Sequence, residues 1–343
     1  VTKKYPLLRS TAPTTFNTYK NSGKALSATP QNLGNFYGPI LDQGQEGSCT
    51  AFAGLQWRGA LRKQAGLDWI DPSEQAQYYE ERKIDGTVAT DAGASMEDIV
   101  IVLEQFGVLP ADKDPYTVSD MTTPPPVDGW RTDLKLSSNQ VLAIDQGSIL
   151  ADTLDALSNG HPVLFGFEVF NTGWEDVSYN GTGILSMPEA NEQSIGGHAV
   201  NAISYDPVKK LILVRNQYGA DWGIKAPAED IGCFWMPYDY YAQYAYNAFV
   251  GLPDSITPAP APTPILKNLI LYYGDADLQI AADLAQNFAC PVIQAVYATS
   301  DLLASATTKY QVGGASAPEG VILLAGSDRF GTMKAVLQVA GKD

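Results

Sequence analysis

Leu41-Asp42-Gln43-Gly44-Gln45-Glu46-Gly47-Ser48-Cys49-Thr50-Ala51-Phe52-Ala53-Gly54 is the stretch on which the fold turns. Gly44 and Gly47 mark a turn, and the small and apolar run after Ser48 has the pattern of a core helix. That helix is expected from about Cys49 to Ala65, with Gly66 suited to the left-handed residue that ends it. Cys49 then opens the helix, beside the positive end of the macrodipole and the unpaired N–H groups of the first turn, which favours its thiolate. Gln43 lies six positions upstream, where a short turn folds its amide donor back beside the sulfur. A nucleophile next to a donor for a developing oxyanion is the equipment of acyl transfer. By itself, a cysteine at a helix start is more often a small buried hydrophobe.

A base for the thiol has few candidates, since the chain holds two histidines. His161, in Asn-Gly-His-Pro, follows a helix end and reads as a cap or turn residue. His198 lies in Gly-Gly-His-Ala-Val-Asn, roughly 150 residues after Cys49, and Asn216 follows in Val-Arg-Asn-Gln-Tyr-Gly-Ala-Asp-Trp-Gly. These three segments, in this order, resemble the motifs of papain-like cysteine peptidases: Gln-x-x-x-Gly-x-Cys-Trp-Ala-Phe, His-Ala-Val and Asn-Ser-Trp-Gly-x-x-Trp-Gly. Thr50 and Tyr218 stand where the family usually has Trp, whereas Trp222 and Gly223 keep the end of the pattern.

The resemblance implies a two-lobed α+β fold, with a helical lobe facing an antiparallel sheet or barrel, and Cys49 and His198 across the cleft between them. It implies Cys49 as nucleophile, His198 as base and acid, Asn216 as the orienter of the imidazole, and Gln43 with the Cys49 N–H as oxyanion donors. Tyr218 and Trp222 would wall the His–Asn hydrogen bond from water. Gly93, in Asp-Ala-Gly-Ala-Ser, resembles the glycine that pairs with an extended peptide, and Gly47 and Ser48 would line the same cleft. A flexible turn before a helix is the alternative reading of Gly93. The chemistry needs no metal or cofactor; its substrate is a peptide or protein.

The order of elements fits that architecture. Residues 1 to about 35 resemble the extended arm that precedes the catalytic helix, and the long inhibitory pro-segment of many relatives has no evident counterpart. Within 36–251, Asp71-Pro72-Ser73-Glu74 and Ser95-Met96-Glu97-Asp98 start helices, the first with Pro72 expected at the first helical position. A helix over Ile149–Asn159 leads to strands at Pro162–Phe170, His198–Tyr205, Leu211–Asn216 and Gly232–Pro237. Residues 252–264 are proline-alternating, an extended spacer. The remaining 265–343 read as a small α/β accessory domain, with strands at Leu266–Tyr273 and Val321–Ala325. Gly274-Asp275 and Gly326-Ser327-Asp328 are related by a faint repeat of about 52 residues. Gly326-Ser327-Asp328-Arg329-Phe330-Gly331-Thr332 resembles the Gly-x-Asp-Arg-Tyr-x-Thr signature of cell-wall-binding repeats, which implies a cell-wall polymer or surface partner.

A formal net charge of −16 disfavours a nucleic-acid groove or an anionic membrane surface, and no apolar run approaches the roughly 18 residues of a membrane span. Three cysteines do not form a disulfide framework; Cys233 reads as strand core and Cys290 as a buried residue of the C-terminal domain. A secreted or cell-surface peptidase is the expectation. The rival is a catalytically silent papain-fold binding or structural protein of a surface or virion, kept open by Thr50 and Tyr218. An amidase on a related fold would pair Cys–His with a third histidine or an acid, and the Asn216 segment speaks against it.

Overall fold

The computed structural model describes residues 5–9, 16–118, 120–179, 183–254, 266–298, 302–303 and 305–342. The chain divides into two compact units, Val1–Ser255 and Ile256–Asp343. In the first, helix α1 (Cys49–Gln64) is buried on all sides as far as Leu61, as its small and apolar composition requires. Gly66 takes a φ of 71° just beyond its end. Helices α2 (Glu74–Ile84) and α3 (Met96–Gln105) pack beside it. Ser73 caps α2 by accepting from the Ala76 N–H, so Pro72 precedes the cap and is not the first helical residue expected from the sequence. Ser95 and Asp98 form the reciprocal capping box that starts α3.

The sheet lobe holds seven strands: β1 (Asn17–Thr18), β2 (Val141–Ala143), β3 (Val163–Val169), β4 (Gly196–Asp206), β5 (Leu211–Arg215), β6 (Cys233–Pro237) and β7 (Ala245–Gly251). Their order is β1-β2-β7-β3-β4-β5-β6; β1 and β2 run parallel and every other pair is antiparallel. Three helices belong to this lobe, α4 (Ile149–Ser158), α5 (Asn171–Tyr179) and α6 (Tyr238–Tyr244). The last two, and strands β2 and β7, are additions to the sequence-based reading. One core lies inside the sheet lobe around Phe165, Phe167 and Phe234. The other joins α1 and α3 to β3 and β7, and Cys49, Leu7, Ala199 and Tyr246 are all part of it.

Leu252 to Asp254, read from the sequence as the start of a linker, are tied to this unit. The Leu252 N–H donates to the Gln140 carbonyl, and the Asp254 carboxylate takes both Arg58 and Arg62 of α1. The rest of the proline-rich stretch lies outside the described residues.

The second unit is a four-stranded parallel sheet in the order β11-β10-β8-β9, built from β8 (Leu266–Tyr272), β9 (Val292–Gln294), β10 (Ala306–Val312) and β11 (Ile322–Leu324). Helices α7 (Leu278–Phe288) and α8 (Arg329–Val339) share its core through Leu284 and Val336. Both repeat segments close strand-to-helix turns: Asp277 accepts from the Gly274 N–H and Asp328 from the Gly331 N–H. Cys290 is only half-buried, and all three cysteines are free. Among the described residues no helix is long and apolar enough to cross a membrane.

Behind the start of α1, the Thr50 hydroxyl donates to Glu81 of α2, and the Gln77 amide donates to the other carboxylate oxygen. Burial pushes the Glu81 carboxyl up to about 8, against those two donors. The folded state then holds a proton that the unfolded state releases above about 4.3, so stability falls as pH climbs from there to about 8. Urea midpoints should drop across this window in the native chain, and Glu81→Gln should flatten part of that slope.

Candidate active site

The turn before α1 is held from two sides. Its Gln43 N–H donates to the Gln217 carbonyl at 3.0 Å, and the Gly219 N–H donates to the Leu41 carbonyl at 2.9 Å. Ser48 stands at the cap position, but its hydroxyl is paired with the Tyr116 hydroxyl at 2.8 Å and makes no cap. The first-turn N–H groups therefore stay uncapped by that side chain. Cys49 is fully buried there, and the backbone N–H groups of Ala199, Thr50 and Cys49 favour its anion.

His198 sits on β4 directly opposite Phe167 of β3 and is fully buried. Its Nε2 lies 2.8 Å from Oδ1 of Asn216, the residue just past the end of β5. Because the asparagine oxygen only accepts, the proton of the neutral ring belongs on Nε2 and the base lone pair on Nδ1. The Gln217 amide, which donates to both the Ala199 and the Cys49 carbonyls, brings the Cys49 backbone beside that of Ala199, the residue after His198 on β4. Tyr218 covers the imidazole at a ring separation of 5.0 Å, with Trp174 at 5.7 Å and Phe167 at 5.9 Å. Trp222 is one layer further out, packed on Tyr218 at 5.5 Å and on Trp174 at 5.0 Å.

Phe167, Trp174 and Gln217 are members of this assembly that the sequence did not single out. Trp174 belongs to no motif and reaches the imidazole only because α5 folds back after β3. Gln217 was visible beside Asn216, where the resemblance gives serine. Its amide donates to the Ala199 carbonyl at 2.9 Å and the Cys49 carbonyl at 3.4 Å, linking β4 to the start of α1. Gln43 donates to the Glu46 carbonyl at 2.9 Å, which leaves its second amide hydrogen for another acceptor. His161 is half-buried at the end of α4, its N–H on the Ala156 carbonyl, away from this assembly.

The cleft carries a strand of the chain itself. The Leu7 N–H donates to the Gly197 carbonyl, the Gly197 N–H to the Tyr5 carbonyl, and the Leu8 N–H to the Ala94 carbonyl. Tyr5 to Leu8 thus bridge the sheet lobe beside His198 and the helical lobe beside Gly93. A Cβ at Gly93 would come to 2.0 Å from the Pro6 oxygen, so only glycine allows that approach. Gly47 faces the Pro6 ring in the same way. Ser48 is buried with its hydroxyl against that of Tyr116.

This cover changes the expected state of the sulfur. Burial pushes the Cys49 thiol up to about 12, and the N–H groups of Ala199, Thr50 and Cys49 only partly oppose it. The sequence-based reading of a helix-start thiolate omitted the desolvation. Leu7→Asp, which puts a charge into the shared core, should expel the strand. Cys49 alkylation by iodoacetamide at pH 7, followed by peptide mass spectrometry, should then speed up by about tenfold or more. A separate test concerns the link under the site: Gln217→Ala should cost about 1–3 kcal/mol in urea unfolding, because it leaves a buried carbonyl unpaired.

Comparison with known proteins places most of the first unit in one family. A profile of the papain family cysteine proteases matches residues 31–227. An uncharacterised peptidase C1-like protein of Acanthamoeba polyphaga mimivirus is 32% identical over 210 residues, 59% of this chain and 65% of that protein. A cathepsin B-like protein of Giardia intestinalis is 29% identical over 190 residues, 54% of this chain and 61% of its own. The chain thus spans less than two thirds of the length of these curated relatives. Among solved structures, xylellain, a cysteine protease from Xylella fastidiosa, superposes with a TM-score of 0.63 at 26% identity, over 74% of this chain and 98% of its own. A digestive procathepsin L 3 of Tenebrio molitor shares the fold, with a TM-score of 0.53 at 19% identity over 73% of this chain and 76% of its own.

Proposed function

The chain belongs to the papain family of cysteine proteases, and on that premise we propose that it hydrolyses peptide bonds with Cys49 as nucleophile and His198 as base. The observation that carries the proposal is the 2.8 Å hydrogen bond that fixes His198 Nε2 on Asn216, with the Gln217 amide joining the Cys49 carbonyl to that of Ala199, one residue from His198. Once the strand leaves the cleft, water and the helix N-terminus stabilise the sulfur anion, and His198 Nδ1 takes the thiol proton. The thiolate attacks the scissile carbonyl carbon. Gln43, through its remaining amide hydrogen, and the Cys49 N–H receive the oxyanion. The imidazolium protonates the leaving amine, a thioester remains on Cys49, and water activated by His198 releases the acid and restores the thiol. Asn216 holds the ring through the cycle without adding a negative charge.

The proposal extends to the second unit, as an attachment domain of a secreted or cell-surface enzyme. Two features support this: the Gly326–Thr332 resemblance, and the apolar face of α8, where Phe330, Met333 and Leu337 are exposed at helical spacing. The rival, a silent papain-fold protein of a surface or virion, draws on the covered cleft, Thr50 and Tyr218.

Digestion of a peptide library separates the two. The Leu7→Asp chain should cleave it, and adding Cys49→Ala should abolish cleavage. Adding Gln43→Ala should lower kcat by about 10²–10³. A folded Leu7→Asp chain that alkylates at Cys49 but cleaves nothing would establish the silent reading.

A further inference from the structure

The strand in the cleft continues to Arg9, whose side chain meets a group that the proposed hydrolysis does not use. Its Nε donates to Glu168 Oε1 at 3.0 Å and its Nη2 to the same oxygen at 2.8 Å. Its guanidinium carbon sits 4.2 Å from the centre of the Tyr246 ring. The other Glu168 oxygen is held by the Ser194 hydroxyl. Glu168 lies on β3 opposite Gly197, the residue that pairs with Leu7, so its carboxylate stands at the rim of the cleft. Two residues back, Leu7 is buried beside Gly166 and the same Tyr246; a Cβ on Gly166 would fall 2.6 Å from Leu7 Cδ2.

We propose that Glu168 and Tyr246 form a cation-reading subsite, so that the peptides this cleft takes carry Lys or Arg two positions from an aliphatic residue. The proposal rests on the peptidase reading for the statement that peptides occupy this cleft. Side chains two apart on an extended strand share a face, whichever way the strand runs, so one wall can read both. The aliphatic seat is closed and apolar. The neighbouring seat joins a carboxylate, itself fixed by a hydroxyl, to an aromatic face, the pairing that favours a guanidinium or ammonium. Arg9 remains 56% exposed there, so a longer peptide has room to continue past it. A formal charge of −16 on the whole chain adds an attraction for cationic peptides.

The test uses the full chain with Leu7→Asp, and two probes, acetyl-Pro-Leu-Leu-Arg-amide and the same peptide ending in Ala. Each is titrated against the rate of Cys49 alkylation by iodoacetamide, which needs no turnover. The arginine peptide should protect at about tenfold lower concentration than the alanine peptide, about 1.4 kcal/mol. That preference should vanish in Glu168→Gln and shrink as salt is raised. Equal protection by both peptides, or none by either, overturns the subsite. A chain that discriminates but never hydrolyses keeps the subsite and loses the peptidase reading; one that hydrolyses without discriminating does the reverse.

Discussion

The hydrogen bond between His198 Nε2 and Asn216 Oδ1 sets what the rest of the site can do. The imidazole is fully buried among aromatic rings, and the acceptor just past β5 chooses its tautomer. The remaining nitrogen becomes the one that can accept a proton. That choice requires β4 and β5 in register, since Asn201 pairs with Arg215 and the next residue along is Asn216. It also requires α1 to lie against the same strands. Asn201 donates to the Ala53 carbonyl, Gln217 to the Cys49 carbonyl, and Arg215 to Gln56, three side-chain bonds to one helix from the two strands and the turn after β5.

Two opposed effects meet at the Cys49 sulfur. A helix start offers N–H groups and a favourable dipole, a small stabilisation of the anion that falls off within a turn. Removing water from a thiolate is the larger effect, and under the Tyr5–Leu8 strand it prevails. The strand's backbone hydrogen bonds fall on Ala94 and Gly197, whereas the Gly93 N–H is taken by the Tyr78 hydroxyl and Gly93 meets Pro6 by close packing alone. On the proposed reading, a peptide substrate would compete with this strand for Ala94 and Gly197, which would couple the reactive state of the sulfur to occupancy of the cleft.

Much of this was legible in the chain. The Gln43-to-Gly54 stretch, His198 and Asn216 announced themselves by residue type, order and spacing, and the capped helices at Ser73 and Ser95 by their polar starts. What stayed hidden depends on tertiary packing. Trp174 is an ordinary helix aromatic until α5 folds onto His198. Strand β7 was missed because the tyrosine-rich run before it carries no alternation, although it becomes a central strand. The arm at Tyr5–Arg9 has no periodicity of its own and acquires a conformation only from the two lobes it joins. Glu168 was lost in the apolar run of β3, where one charged residue among six apolar or glycine neighbours marks the rim.

On the proposed mechanism, the sulfur on α1 and the imidazole on β4 act as a proton-sharing pair. The pH dependence of Cys49 alkylation, measured by peptide mass spectrometry in the Leu7→Asp chain with and without His198→Ala, tests it most directly. A true pair keeps the thiolate reactive well below pH 8, and loss of the imidazole returns Cys49 to a single rise above about pH 8, as an isolated thiol shows. Superimposable profiles for the two chains would contradict such a pair.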